Sequence, residues 1–192
     1  MGNRQSSPTA PAADPQALRD ALQVLWHVFT IAISHKEKVP PIDIKEGNYL
    51  PEHDSTPVPL FTFIRDEERL TTMHEYPTSS AYQHIVNKFG AEKAGYLVRA
   101  YTKWWECDFS AKSMIGPVRK AVSHLFNGAK VEWIDLREAR IGFMVDDSLG
   151  CLDESIHSIP LITLPPGDEL AVDFTIEQYG WHPSEFFLPL IE

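Results

Sequence analysis

Three residues in this chain have the types, and the order, that acyl transfer through a thioester requires: Cys107, His157 and Asp173. In that chemistry a thiolate attacks a carbonyl carbon, an imidazole takes and returns the proton, and a carboxylate holds the ring in one tautomer. Cys107 stands at the predicted start of a helix, where unpaired backbone N–H groups and the helix dipole favour an anionic sulfur. Asp108 opposes this by like-charge repulsion, and a neighbouring imidazolium would overcome the opposition. His157 opens and Asp173 nearly closes the stretch HSIPLITLPPGDELAVDF, which reads as two strands joined by a turn at Pro165-Pro166-Gly167-Asp168. Cross-strand neighbours in such a hairpin lie within side-chain reach. An oxyanion hole needs donors beside the sulfur, and the candidates are the Cys107 backbone N–H, the indole N–H of Trp104 or Trp105, and the Gln178 amide.

Each of these residues also has a plain structural reading: a buried inert thiol, a satisfied histidine, a turn-capping aspartate. A competing site surrounds Cys151, where Asp146, Asp147, Asp153, Glu154 and His157 fall in one short acidic stretch. Glu154 and His157 match E-x-x-H, which puts two ligands on one face of a helix, but a di-iron bundle needs a second such pair and none occurs. Zinc held by Cys151 and His157 would need further ligands from elsewhere. Glu52, His53 and Asp54 are adjacent, and neighbours in an extended segment point to opposite sides. Both stretches read as solvated loops, and no metal or other cofactor is expected.

The composition narrows the class. The chain has 192 residues, 43% of them hydrophobic, which suits a single domain with a genuine core. Its 17 basic and 27 acidic residues leave a formal charge of −10, which argues against a nucleic-acid partner. Two cysteines exclude a disulfide scaffold and a Cys-only zinc site, and point to a reducing, cytoplasmic location. No apolar run approaches the roughly 20 residues that span a bilayer, and the N-terminus lacks the apolar core of a secretory signal. MGNRQS fits the pattern for N-myristoylation at Gly2, with Ser6 in the required place, and also fits a chance match in a disordered leader. One acyl chain gives only weak, reversible membrane contact. The expected partner is therefore a protein or small molecule carrying an acyl or amide group, with no stable membrane insertion.

The elements that must position the three residues follow from periodicity. Residues 1–16 read as a disordered leader and 17–192 as one α+β domain, whose last residues, FFLPLIE, look cut within an element. Leu18, Leu22, Leu25, Phe29 and Ile33 fall at helical spacing and predict a helix over 16–34, with Asp14 as its cap. The proline-rich stretch 39–59 is expected to be mostly irregular. Helices are predicted from Ser79/Ser80 to Gly90, from Ala91 to about Trp105, and after Cys107, the last kinked or restarted at Gly116-Pro117 and closed by Asn127-Gly128. Strands are predicted at 60–64, 130–136, 140–145, 159–164 and 169–174. Helices first and strands later imply N-terminal helices packed on a mainly antiparallel sheet formed by the C-terminal half.

The segments CDFSA (107–111), NGAKVEWI (127–134) and HSIPLITLPPGDELAVDFT (157–175, ending V-D-x-T) together resemble the papain-like superfamily. Its transglutaminase-like and arylamine N-acetyltransferase-like branches are the most similar, over about residues 104–181. The resemblance implies a papain-like fold and a cysteine-dependent amidase, deamidase, peptidase or acyltransferase. Cys107 would be its nucleophile, His157 its base and Asp173 its orienter. Three positions depart from the pattern. Trp105-Glu106 precede Cys107 where transglutaminase-like proteins usually offer a glycine. Ser158-Ile159-Pro160 follow His157 where Ala-Trp is common, and Phe174 rather than proline follows Asp173. These departures equally suit a non-catalytic interaction module, or a decayed enzyme of the same fold.

Overall fold

The structure, a computed structural model, describes residues 15–49, 56–65, 69–136, 144–146 (backbone), 157–165 and 167–189. Gly2, Asp14, the 52–54 cluster, Cys151 and its acidic neighbours from Asp147 to Glu154 lie outside the described residues. The architecture is α+β. Helix α1 runs Pro15–Ser34 and buries Leu18, Leu22, Trp26, Phe29 and Ile33, the stripe that a 3.6-residue repeat requires. Helix α2 spans Ser80–Phe89, capped by the Ser79 hydroxyl, which accepts from the Tyr82 N–H at 3.1 Å. Gly90, at φ 82°, breaks the chain sharply before α3, Ala91–Lys103.

Helix α4, Cys107–Leu125, passes through Pro117 as one helix, where the sequence predicted a kink or a restart. Pro117 and Ser113, whose carbonyl loses its usual partner, both lie on the exposed side, so water can satisfy the freed group. Met114, Val118 and Val122 anchor the two halves of the helix in the same core.

The N-terminal half contributes more strand than expected. The described residues of the stretch 39–59 are mostly strand: β2 spans Pro41–Tyr49 and pairs antiparallel with β3, Val58–Arg65. Pro41 is tolerated as the first residue of β2, which pairs only with β3 among the described residues, and Pro59 lies in β3 before its ladder to β6 begins at Leu60. The short β6, Met144–Asp146, was expected within a C-terminal sheet; it runs parallel to β3 instead, completing the order β2-β3-β6. Two residue pairs, β1 (Glu37–Lys38) and β4 (Thr71–Thr72), form a small ribbon. The C-terminal half alone builds the antiparallel sheet β5-β7-β8-β9, from Lys130–Leu136, His157–Thr163, Glu169–Val172 and Phe187–Pro189.

Two apolar clusters hold these layers. In one, α1 and α4 pack on the C-terminal sheet through Leu22, Phe29, Val118, Val122, Ile162 and Phe174. In the other, α2 and α3 cover β2 and β3 through Ile44, Phe61, Phe63, Ile85 and Leu97. Each fully buried side chain of this size contributes about 1.5–3 kcal/mol. Helix α3 also reaches the C-terminal half: Arg99 and Lys103 grip Glu177, and the Tyr96 hydroxyl donates to the Trp181 carbonyl at 2.9 Å.

Candidate active site

Strand β7 begins at His157, and the ladder to β8 pairs Leu161 with Ala171. Asp173 lies one residue past β8 rather than within it, yet its backbone stays in the sheet because its N–H donates to the Phe186 carbonyl at 2.7 Å. Continuing the register sets Asp173 opposite Ile159, on the same face as His157 and diagonal to it, a separation polar side chains can bridge. They do: His157 Nε2 and Asp173 Oδ2 are 2.7 Å apart. Asp173 Oδ1 accepts from both the N–H and the hydroxyl of Thr175, at 2.8 and 3.0 Å. That leaves His157 Nδ1, buried and without a partner at hydrogen-bonding geometry, as the nitrogen free to exchange a proton.

Cys107 is the first residue of α4 and is half-buried. Its thiol is close enough to the His157 ring to raise the basicity of the imidazole. Burial by itself lowers the His157 pKa; Asp173 and then Cys107 oppose it and win, holding the imidazole at about 9, against 6.5 ordinarily. Burial likewise raises Asp173, and His157 together with the Thr175 donors overcomes it, so the carboxyl lies below the usual range. The edge of the His157 ring packs on Tyr179, with centroids 4.4 Å apart. Burial, reinforced by Cys107, Asp173 and Asp108, raises the Tyr179 pKa far enough that its phenol stays neutral.

The turn before Cys107 is tied from several sides. Glu106, the N-cap, does not cap α4 with its side chain; the carboxylate accepts from Lys36 at 2.8 and 2.9 Å and pairs with Lys38 at 3.2 Å. Lys38 also donates to the Trp104 carbonyl at 3.0 Å. The first-turn N–H groups of α4, Cys107's among them, thus receive no side-chain cap from Glu106. Trp104 stacks on Tyr101, and Trp105 is 57% exposed with φ 65°, a backbone region that bulky residues avoid.

Cys107 Sγ also lies 3.9 Å from Asp108 Oδ1. Side chains alternate along a strand, so Ser158 points away from His157. Its hydroxyl contacts Asp108 Oδ1 and, at 2.7 Å, Asp135 Oδ1 on β5. A hydroxyl has one proton, so it donates to one carboxylate at a time.

The structure therefore brings Cys107, His157 and Asp173 into one cluster. Gln178 was a candidate oxyanion donor. Its carbonyl oxygen accepts from the Trp105 N–H at 3.2 Å, and its amide donates to the Thr175 hydroxyl at 2.9 Å. Sequence reasoning missed Tyr179, Thr175, Lys36, Lys38 and Ser158. Only Thr175 carried a local signal, as a hydroxyl two residues after an aspartate, the spacing of an Asx turn. No group of three or more metal-ligating side chains with metal geometry occurs among the described residues, and no helix among them is long and apolar enough to cross a membrane. The chain matches no family model, no curated protein and no solved structure.

Proposed function

We propose that this chain is a cytoplasmic cysteine-dependent acyl-transfer enzyme of papain-like type, acting on an amide or thioester carbonyl. The observation that carries the reading is the 2.7 Å bond between His157 Nε2 and Asp173 Oδ2, with Nδ1 left unpartnered and the Cys107 thiol close enough to act on the ring. Cys107 attacks the carbonyl carbon with its proton already carried by the His157 ring, which stays imidazolium at neutral pH, and the carbonyl oxygen takes negative charge against the first-turn N–H groups of α4. The imidazolium, held by Asp173, returns the proton to the leaving amine or thiol. An acyl-cysteine remains, and water or an acceptor releases it. Asp108 beside the sulfur, with Asp135 joined to it through the Ser158 hydroxyl, disfavours negatively charged acyl donors.

The test is labelling by a thiol-directed acyl probe at neutral pH. Wild type is labelled at Cys107, and Cys107→Ala and His157→Ala are not. Unchanged labelling of Cys107→Ala refutes the assignment. Labelling of His157→Ala at the wild-type rate favours the alternative, a non-catalytic interaction module with an ordinary surface thiol.

A further inference from the structure

One connection runs between the two halves of the cluster. The Trp105 N–H donates to Gln178 Oε1 at 3.2 Å, and Gln178 Nε2 donates to Thr175 Oγ1 at 2.9 Å. The Thr175 hydroxyl donates to Asp173 Oδ1 at 3.0 Å, and Asp173 Oδ2 holds His157 Nε2 at 2.7 Å. Every proton points the same way along this path. A backbone N–H only donates, a carboxylate only accepts, and the hydroxyl that receives the amide proton is free to give its own. The polarity also fixes which end of the Gln178 amide faces which neighbour. Thr175, Gln178 and His157 are all buried, so a broken link leaves groups that water cannot reach to satisfy.

At its far end the path holds a backbone that needs holding. Trp105 is the non-glycine residue with positive φ among the described residues, and it immediately precedes the N-cap of the helix that presents Cys107. Such a conformation persists only where surrounding contacts over-determine it. Gln178 binds the N–H of that residue, while Lys38 binds the carbonyl before it.

We propose that Gln178 is a positioning residue: it ties the turn that aims Cys107 to the carboxylate that orients His157, so that nucleophile and base are registered by one hydrogen-bonded path. The inference rests on the catalytic reading of the cluster, but its geometry is testable without turnover. Gln178 touches neither the sulfur nor the imidazole in this arrangement. It acts through Trp105 on one and through Thr175 and Asp173 on the other.

The experiment follows the His157 ring by NMR across a pH series in wild type, Thr175→Val, Thr175→Ser, Gln178→Met and the Thr175→Val/Gln178→Met pair. Thr175→Val removes the hydroxyl's donation to Asp173 Oδ1, and Gln178→Met frees that hydroxyl to turn away from it, so the His157 midpoint moves by about half a pH unit or more in both variants. Thr175→Ser, which keeps the hydroxyl, retains the wild-type midpoint. The double variant moves no further from wild type than Thr175→Val, because the path is already cut there. In parallel, alkylation of Cys107 by iodoacetamide slows in Gln178→Met and recovers when Trp105→Gly is added, since glycine holds the turn without the bond. An unshifted His157 midpoint in folded Gln178→Met, additive shifts in the pair, or no recovery with Trp105→Gly overturns the proposal. If Gln178→Met does not fold, the Val-versus-Ser contrast at position 175 and the alkylation rate of Gln178→Glu decide, the latter variant keeping the acceptor for Trp105. A chain that passes these tests yet takes no acyl label fails the catalytic reading alone; one that takes the label and fails them loses only the positioning role.

Discussion

Replacing Asp173 with asparagine changes one charge and almost no volume, and it should reverse the pH dependence of stability. In the wild type the His157 pKa rises from 6.5 to about 9. At about 1.36 kcal/mol per pKa unit, that is on the order of 3 kcal/mol in favour of the imidazolium in the folded state. A raised folded pKa gives stability that is complete below 6.5 and disappears as pH climbs through about 9. The lowered Asp173 pKa reports the same ion pair from the other side and is not added to it. In Asp173→Asn, burial acts on His157 with the carboxylate gone, so the folded pKa drops below its ordinary value. The sign then inverts, and the His157 contribution is lost as pH falls rather than as it rises. The tautomer inverts as well. The asparagine oxygen is claimed by the Thr175 N–H and hydroxyl, which turns the amide nitrogen toward His157 Nε2. Nε2 must then accept, and the ring proton moves to Nδ1, where it blocks transfer from the thiol. Urea unfolding between pH 6 and 9.5, with NMR titration of His157 assigned through His157→Gln, reads both effects. A wild-type midpoint at or below the ordinary histidine value, or matching stability profiles for the two proteins, would show the ion pair to be wrong.

Four further outcomes follow. Acylation of Cys107 should fall off on the alkaline side near pH 9, where His157 loses its proton, and a stopped-time pH series with the acyl probe measures the limb. Trp105→Gly should leave stability unchanged or raise it by up to about 1 kcal/mol, because relief of the φ 65° strain offsets the freedom glycine adds to the unfolded chain; a loss beyond that, by urea midpoint, contradicts the strain. Glu177→Gln should cost about 3–5 kcal/mol, since Lys103, 1% exposed, keeps its buried charge without the carboxylate it holds at 2.6 Å. Lys103→Met should cost less, because Arg99 still pairs with Glu177 at 2.7 Å.

What was legible in the sequence follows the range of the interactions involved. Helix α1 could be read because Leu18, Leu22, Phe29 and Ile33 repeat at the helical period and all face one core. Ser79 and Gly90 bracket α2 by short-range chemistry, the capping hydroxyl and the positive-φ turn. Strand β2 was hidden by Pro40 and Pro41 at its start, since a proline weakens a strand only where its missing N–H would face a partner. Strand β6 was read as part of the wrong sheet, because pairing with β3 across more than 80 residues leaves no pattern in its own three. The same divide runs through the candidate site. Cys107, His157 and Asp173 stood out by type and order, whereas the lysines that secure Glu106 come from a segment 70 residues away.

The departure at position 105 joins these two kinds of information. By residue type, Trp105 lacks the glycine that the papain-like resemblance leads one to expect before the nucleophile. By backbone, it has the positive φ that a glycine supplies freely. A tryptophan held there costs about 1–2 kcal/mol, which is comparable to the net worth of one or two hydrogen bonds. The Trp105 N–H bond to Gln178 and the Lys38 bond to the Trp104 carbonyl are contacts of that number and kind. Local propensity lost at one residue is thus offset by tertiary contacts from two distant elements. Mismatch at a motif position is therefore weak grounds for discarding a site until the backbone angle there is known.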